Sequence, residues 1–324
     1  WRSSEGYDQL WVDMVEAYKG RSIIPKLPEL SSQDRILVNQ AFSTINVIYP
    51  AVSVAFPKIN VMATKQELGD RAVFVDAMLN YQWRHYGLHD PFREAVKDSL
   101  IIGHGWCKTM WTYEEIDAEF TDEEFAEAFA VAERDERQTA EAEGRNPADD
   151  TEIARRLLDS QTTAIEDRPV VERISPWDMF VNPEATSLRD ATWIAQRVVR
   201  HVDDVRNDPA YARKARESVQ GGLTNLNGGT SRHEGEHVSQ DMVAVWEFYG
   251  LRRGTMCVFA GSQPDGYLVR PRKMPYSFGH PFSLLTNYDV PDHFYPIGDL
   301  EMIVPLVKEL SKTRSEMMNH RAKY

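Results

Sequence analysis

Apolar residues recur at steps of three and four over residues 1–20, at Leu10, Trp11, Met14 and Ala17, which predicts a helix. Pro25 and Pro28 break the pattern, and a second helix is predicted over 33–55, ended by Pro57. Lys58-Ile59-Asn60-Val61-Met62 alternates, the period of a strand. Residues 66–86 return to helical spacing through Ala72, Val75, Met78, Leu79 and Trp83. Asp90 followed by Pro91 predicts the cap and first position of another helix, running to about Ile102. Gly103 and Gly105 break it, and Trp106 to Tyr113 alternates as a strand would.

Residues 114–167 change character. They are rich in Glu, Ala and Arg, with two helical runs split by Gly144-Arg145-Asn146-Pro147. Thr121 with Glu124 makes a capping box for the first run. The apolar stripe is thin (Phe120, Phe125, Phe129, Ile153, Leu157, Leu158), so a helical hairpin projecting into solvent is expected. Val170 to Ile174 reads as a strand, Ser175 to Asp178 and Asn182-Pro183 as turns, and Trp193 to Val199 as a strand before a helix opened by Asp203. Residues 220–240, full of Gly, Asn, Ser and His, read as a loop. Met242–Tyr249 and Thr255–Ala260 are predicted strands joined by Arg252-Arg253-Gly254. Pro271, Pro275, Pro281, Pro291 and Pro296 punctuate an extended stretch, and helical period returns from Asp299 to the end. Helices packed on short, mostly antiparallel strands give an α+β class.

Charge alters this picture locally. The 324 residues carry a net charge of −13, but residues 114–167 alone hold 19 Asp/Glu against 5 Arg/Lys, a net of −14, so the remainder sums to about +1. The acidity belongs to one segment. No broad basic patch marks a sequence-reading DNA binder. No run of 18 apolar residues exists, so no membrane span is expected, and no secretion signal opens the chain. Cys107 and Cys257 are expected to be reduced core residues in a reducing compartment. The start at Trp1 and the end within a helical pattern at Tyr324 lead us to expect that the natural polypeptide extends at both ends.

The candidate chemistry is thin. No phosphate loop occurs, and no dinucleotide fingerprint follows a strand. His233, Glu234 and His237 formally match H-E-x-x-H, whose chemistry needs both His on one helical face with the Glu reaching a metal-bound water. Gly228, Gly229 and Gly235 argue against that helix, so no metal and no cofactor are expected, and a zinc-dependent hydrolase is kept as the alternative. His85 and His89 read as a helix end. Cys107 and His104 fall on opposite faces of a strand, and no G-x-S-x-G elbow is present. Trp83, Trp106, Trp111, Trp177, Trp193, Trp246 and Tyr249 read as core residues. Tyr267, Arg270, Arg272 and Lys273 come nearest to a partner or DNA contact, against a solvated strand end.

The order of these pieces is more specific than any one of them. Pro57 to Val61, a long helix, and a second helix ending at Ile101-Ile102-Gly103-His104-Gly105-Trp106-Cys107-Lys108 resemble the wing of tailed-bacteriophage portal proteins. Arg173 to Asp178 with Asn182-Pro183 is similar to the wing's Pro-containing turn. Pro281-Phe282, then Tyr295-Pro296-Ile297-Gly298-Asp299-Leu300-Glu301, then Leu306 through Arg314-Ser315 to His320, resemble the approach to the first stem helix. The likeness covers most of 40–324; the acidic insertion departs from it, as does the lack of a clip, second stem helix and crown.

The resemblance implies a portal wing over 1–298, with 114–167 inserted and 220–240 a loop, and the start of a stem helix over 299–324. It implies a structural, non-enzymatic protein that forms a ring, usually of twelve subunits, at one capsid vertex, assembled in the host cytoplasm. The expected partners are the terminase motor, the tail adaptor, major capsid and scaffold proteins, and duplex DNA threaded without sequence recognition. Leu300, Ile303, Val307, Leu310, Arg314, Met317 and Arg321 recur at helical steps and are the expected subunit contacts. Lys308, Lys312 and Lys323 are the expected channel or DNA contacts. A scaffold protein binding partners through its acidic hairpin is the remaining alternative.

Overall fold

The computed structural model describes residues 1–21, 38–53, 58–117, 122–143, 148–159, 162–222, 241–260, 266–276 and 278–323. His233, Glu234 and His237 lie outside the described residues, as does Thr121 of the expected capping box. Among the described residues no group of His, Cys, Asp and Glu is placed to hold a metal ion. No described helix is long and apolar enough to cross a membrane.

The chain divides into two compact units, Trp1–Thr109 with Val171–Tyr324, and Met110–Val170. The larger unit opens with helices α1 (Tyr7–Tyr18), α2 (Gln40–Ser53), α3 (Gly69–His85) and α4 (His89–Ile102). Strand β1 (His104–Asp117) leads into the smaller unit, which holds α5 (Asp122–Glu143) and α6 (Asp150–Asp159), and β2 (Thr162–Ile174) leads out of it. Then follow β3 (Met179–Val181), β4 (Trp193–His201), α7 (Val202–Asn207), α8 (Arg213–Glu217), β5 (Met242–Gly250), β6 (Thr255–Ala260), β7 (Tyr267–Lys273), β8 (Phe282–Thr286) and α9 (Asp299–Lys323).

Two sheets result, one in the order β2-β1-β8 and one in the order β3-β4-β5-β6-β7. The β1–β8 ladder is antiparallel, with Trp106 opposite Leu284, and so is every rung from β3 to β7. The α+β class is therefore as expected, although β1 and β2, at 14 and 13 residues, are long strands.

The main core joins the helices to the three-stranded sheet. Trp11 and Met14 of α1, Ile45 of α2, Val96, Leu100 and Ile102 of α4, Trp106 and Phe282 are buried together with Leu300, Val304 and Val307 of α9. A second core (Val202, Val205, Val243, Val245, Val258, Leu268) packs α7 on the five-stranded sheet. Ion pairs fasten the frame where the chain changes direction. Arg173 of β2 holds Asp98 of α4 through two bonds of 2.6 and 2.7 Å. Arg197 of β4 holds Asp178 of the Pro176–Asp178 turn. Lys108 of β1 reaches Glu247 of β5 at 2.7 Å and so ties one sheet to the other. Each pair is largely shielded from water, which strengthens it relative to a surface bridge.

The smaller unit contains the expected helical hairpin. Phe125 and Phe129 stack at 6.2 Å, Ala140 and Ile153 are buried, and the indole N–H of Trp111 donates to Asp167 at 2.7 Å. Trp111 is exposed, so its expected core role is corrected: its N–H is engaged and its ring is not covered.

Three further expectations are revised, and a fourth is sharpened. Residues 58–62 form no strand, because Asp76 and Asn80 of α3 take the backbone N–H groups of Val61 and Ile59 that a ladder would use. Helix α4 begins at His89, so Asp90 and Pro91 sit inside its first turn and Asp90 is not the cap. The Pro-punctuated stretch contains β7, in which Pro271 is accepted because β7 is an edge strand. Helix α3 has the expected period, yet none of its residues is buried.

Candidate functional site

The site is α9 and the segment that delivers it. Delivery depends on three glycines. Gly103 ends α4 in the left-handed region, at φ +98°, and a Cβ there would fall 2.2 Å from the carbonyl oxygen of Pro296. A Cβ on Gly298 would fall 2.7 Å from the backbone N of Gly103, and one on Gly105 2.0 Å from the carbonyl oxygen of Ala95. The backbone at the end of α4 therefore lies directly against the backbone entering α9, with no room for any side chain between. Asn287 donates its backbone N–H to Gly103 at 2.9 Å, and Tyr288 pairs with Ile297 in an isolated bridge. Asp299 in the first turn accepts hydrogen bonds from the Asn287 side chain at 2.7 Å and the Tyr288 hydroxyl at 3.1 Å. A carboxylate at this end also suits the helix dipole.

Beneath the entry lies a buried polar group. Arg2 pairs with Asp8 at 2.6 Å and donates to the backbone carbonyls of Met179 and Trp177 at 2.8 and 3.1 Å. Its guanidinium lies 4.3 Å from the centre of the Phe180 ring. His104 packs between Trp11 and Tyr295, with ring centres 4.7 and 5.1 Å away. Burial, reinforced by the positive charge of Arg2, lowers the His104 pKa to about 3, so the ring is neutral. Burial also pushes the Cys107 thiol up to about 11, which keeps it an inert thiol. In the sequence His104 stands out by its place between two glycines and its nearness to Cys107; Arg2 gives no signal.

The single stripe expected on α9 divides in two. Leu300, Val304, Val307, Ser311 and Ser315 are buried, and Ile303 packs against the same core. Ser311 receives the backbone N–H of Val38 on its hydroxyl, and the Ser315 hydroxyl donates to the Ser311 carbonyl. On the other side Met302, Leu306, Leu310 and Met317 are 60%, 66%, 42% and 53% exposed. Leu300, Ile303 and Val307 thus belong to the chain's own core, whereas Leu310 and Met317 face out. Arg314 and Arg321 are exposed, as are Lys308 and Lys312, the last lying 4.0 Å from Glu316. The side chain of Lys323 lies outside the described residues. Pro305 sits inside the helix without ending it; the carbonyl of Glu301 loses the N–H that any other residue there would have offered.

Other helices share this exposed apolar character. Phe42, Val47 and Val52 of α2, and Val73, Phe74, Met78 and Tyr81 of α3, are exposed.

The fold is thus one of helices on antiparallel sheets, with a Pro-turn held by an Arg–Asp pair and a glycine-locked entry into a long terminal helix. Residues 8–312 match the family model described as Phage SU10 portal protein, and the chain belongs to that family of phage portal proteins. No curated protein matches it.

Proposed function

We propose that this chain is a portal subunit that closes into a ring-shaped channel at one capsid vertex. DNA enters through that channel during packaging and leaves through it at ejection. The ring, of twelve subunits by the usual number for portals, docks the terminase motor on one side and later the tail adaptor, and it contacts capsid and scaffold proteins. It acts in the virion after assembly in the host cytoplasm, and its role is mechanical and geometric. Family membership supports the role, and the outward apolar face of α9 is the observation that carries the ring. A helix apolar on two opposite sides needs two partners. One is its own core, and the other is a neighbouring subunit in a head-to-tail contact that closes on itself.

Leu310→Asp tests this directly. Leu310 is 42% exposed in the single chain, so the charge stays hydrated there and the fold is retained. At a subunit contact the same charge is buried without a partner and is costly. The expected result is an unchanged circular dichroism melt with loss of the ring in sedimentation. Leu300→Asp, at a fully buried position, unfolds the chain in both assays. A Leu310→Asp protein that still forms rings would contradict the interface.

A further inference from the structure

The turn end of the five-stranded sheet carries an unbalanced concentration of positive charge. Arg270, Arg272 and Lys273 are exposed on edge strand β7. Lys273 stands opposite Thr255 and Arg272 opposite Met256 in the β6–β7 register. The β5–β6 turn adds exposed Arg252 and Arg253, and the backbone N–H of Met274 donates to Gly254 at 2.8 Å, which fixes that turn against the end of β7. Arg189 completes the group across a cleft of about 490 Å³ that also contains Met274, Tyr276 and His280. No Asp or Glu lines this cleft. None of the six cations is ion-paired to a described residue, whereas the Arg and Lys residues of the frame (Arg2, Lys108, Arg173, Arg197, Arg200) are each paired with a carboxylate.

Like charges on the β5–β6 turn and edge strand β7, with Arg189 across the cleft and none paired to a described residue, repel one another unless a polyanion neutralises them. Two features select the polyanion. Pro271 removes a ladder donor from the middle of the cluster, and the flanking cations disfavour a strand on this edge, so the partner is met by side chains and not by sheet extension. Five of the six cations are arginines, whose planar fork matches phosphate oxygens two at a time. The run Arg270–Lys273 extends ~10 Å along the edge, a length over which a duplex presents about six phosphate charges.

We infer that the β5–β6 turn and the edge strand β7 form a binding surface for the phosphate backbone of nucleic acid, separate from the lysines of α9. The surface reads no sequence, because it meets phosphates and no base edges. Its identification with duplex DNA rests on the reading of the chain as a portal subunit; the phosphate chemistry does not.

The test uses the full chain with Arg252, Arg272 and Lys273 all changed to Ala, beside a Lys19→Ala/Arg137→Ala control at cations already paired with Glu16 and Glu133. Binding of a short fluorescent duplex of mixed sequence is followed by anisotropy across a salt series. The triple variant is expected to bind more than tenfold more weakly and to lose about 3 from the slope of log K against log salt, near 0.9 per phosphate contact. The control is expected to keep its slope. An unchanged slope in the triple variant would overturn the inference. Displacement of the duplex by an equal phosphate concentration of inorganic phosphate would reduce the surface to a simple anion site, which overturns it as well. Loss of binding to a synthetic peptide of residues 122–159, with duplex binding intact, would assign the surface to an acidic helix instead. Ring formation is read separately from particle mass, so assembly without this binding refutes the surface alone, and binding by a chain that never assembles refutes the ring alone.

Discussion

At the scale of the residue, backbone contact explains the glycines and burial explains His104. Gly105 has backbone 2.0 to 3.0 Å from where a Cβ would stand, whereas Gly69, the first residue of α3, has nothing within 4 Å. Gly105→Ala is therefore expected to lower stability by ~3 kcal/mol, since only backbone movement can relieve the clash. Gly69→Ala should be neutral or stabilising by up to ~1 kcal/mol. Urea unfolding of the two variants checks the pair, and equal midpoints would show that the start of β1 is not locked against Ala95 of α4. His104 provides a pH signature. Its folded pKa of about 3 lies below the unfolded value, so the unfolded state binds the extra proton between them. The stability associated with the neutral ring is complete above the unfolded pKa of about 6.5 and is lost as pH falls toward 3. Between pH 7 and pH 5 that amounts to ~2 kcal/mol. His104→Phe should remove this part of the acid sensitivity; identical pH dependence in both proteins would show that the ring is not held neutral.

At the scale of the element, most helices and the strands β4 to β6 were legible from periodicity, because one face of each is buried and the other is not. Where reading failed, side chains had replaced the usual ladder. Residues 58–62 alternate as a strand does, but Asp76 and Asn80 supply their hydrogen bonds. The strand β7 was legible as a solvated strand end at Tyr267 to Lys273, and Pro271 within it is tolerated because the strand is an edge. The stripe on α9 was legible as amphipathic spacing. Its division into a buried and an outward face was not, because Ser311 and Ser315 carry the buried side and hydrophobicity alone gives them no weight. The acidic hairpin was legible from composition, and the structure supports a sharper experiment on it. Strands β1 and β2 extend to Asp117 and from Thr162, so residues 118–161 can be replaced by a Gly/Ser linker without cutting either strand. The larger unit contains both cores and is expected to keep its melting temperature within a few degrees, the shift that ~1 kcal/mol produces in a chain of this size. Insoluble product would place the hairpin within the folding core.

At the scale of the whole molecule, the chain is two things at once: a well-filled core around α4 and α9, and a surface with exposed Phe, Val, Met and Tyr on α2, α3 and α9. In the proposed ring, repetition around an axis covers that surface. Charge follows the same logic. The net of −14 confined to residues 114–167 leaves the rest of the chain near neutrality, so its apolar faces can approach one another without strong repulsion. The measurement that bears most directly on this account is the native mass of the assembled full-length protein. One closed oligomer, at a single integer multiple of the subunit mass and with a central hole in the electron micrograph of the same sample, is the predicted result. A monomer or dimer that persists under every solution condition would contradict it.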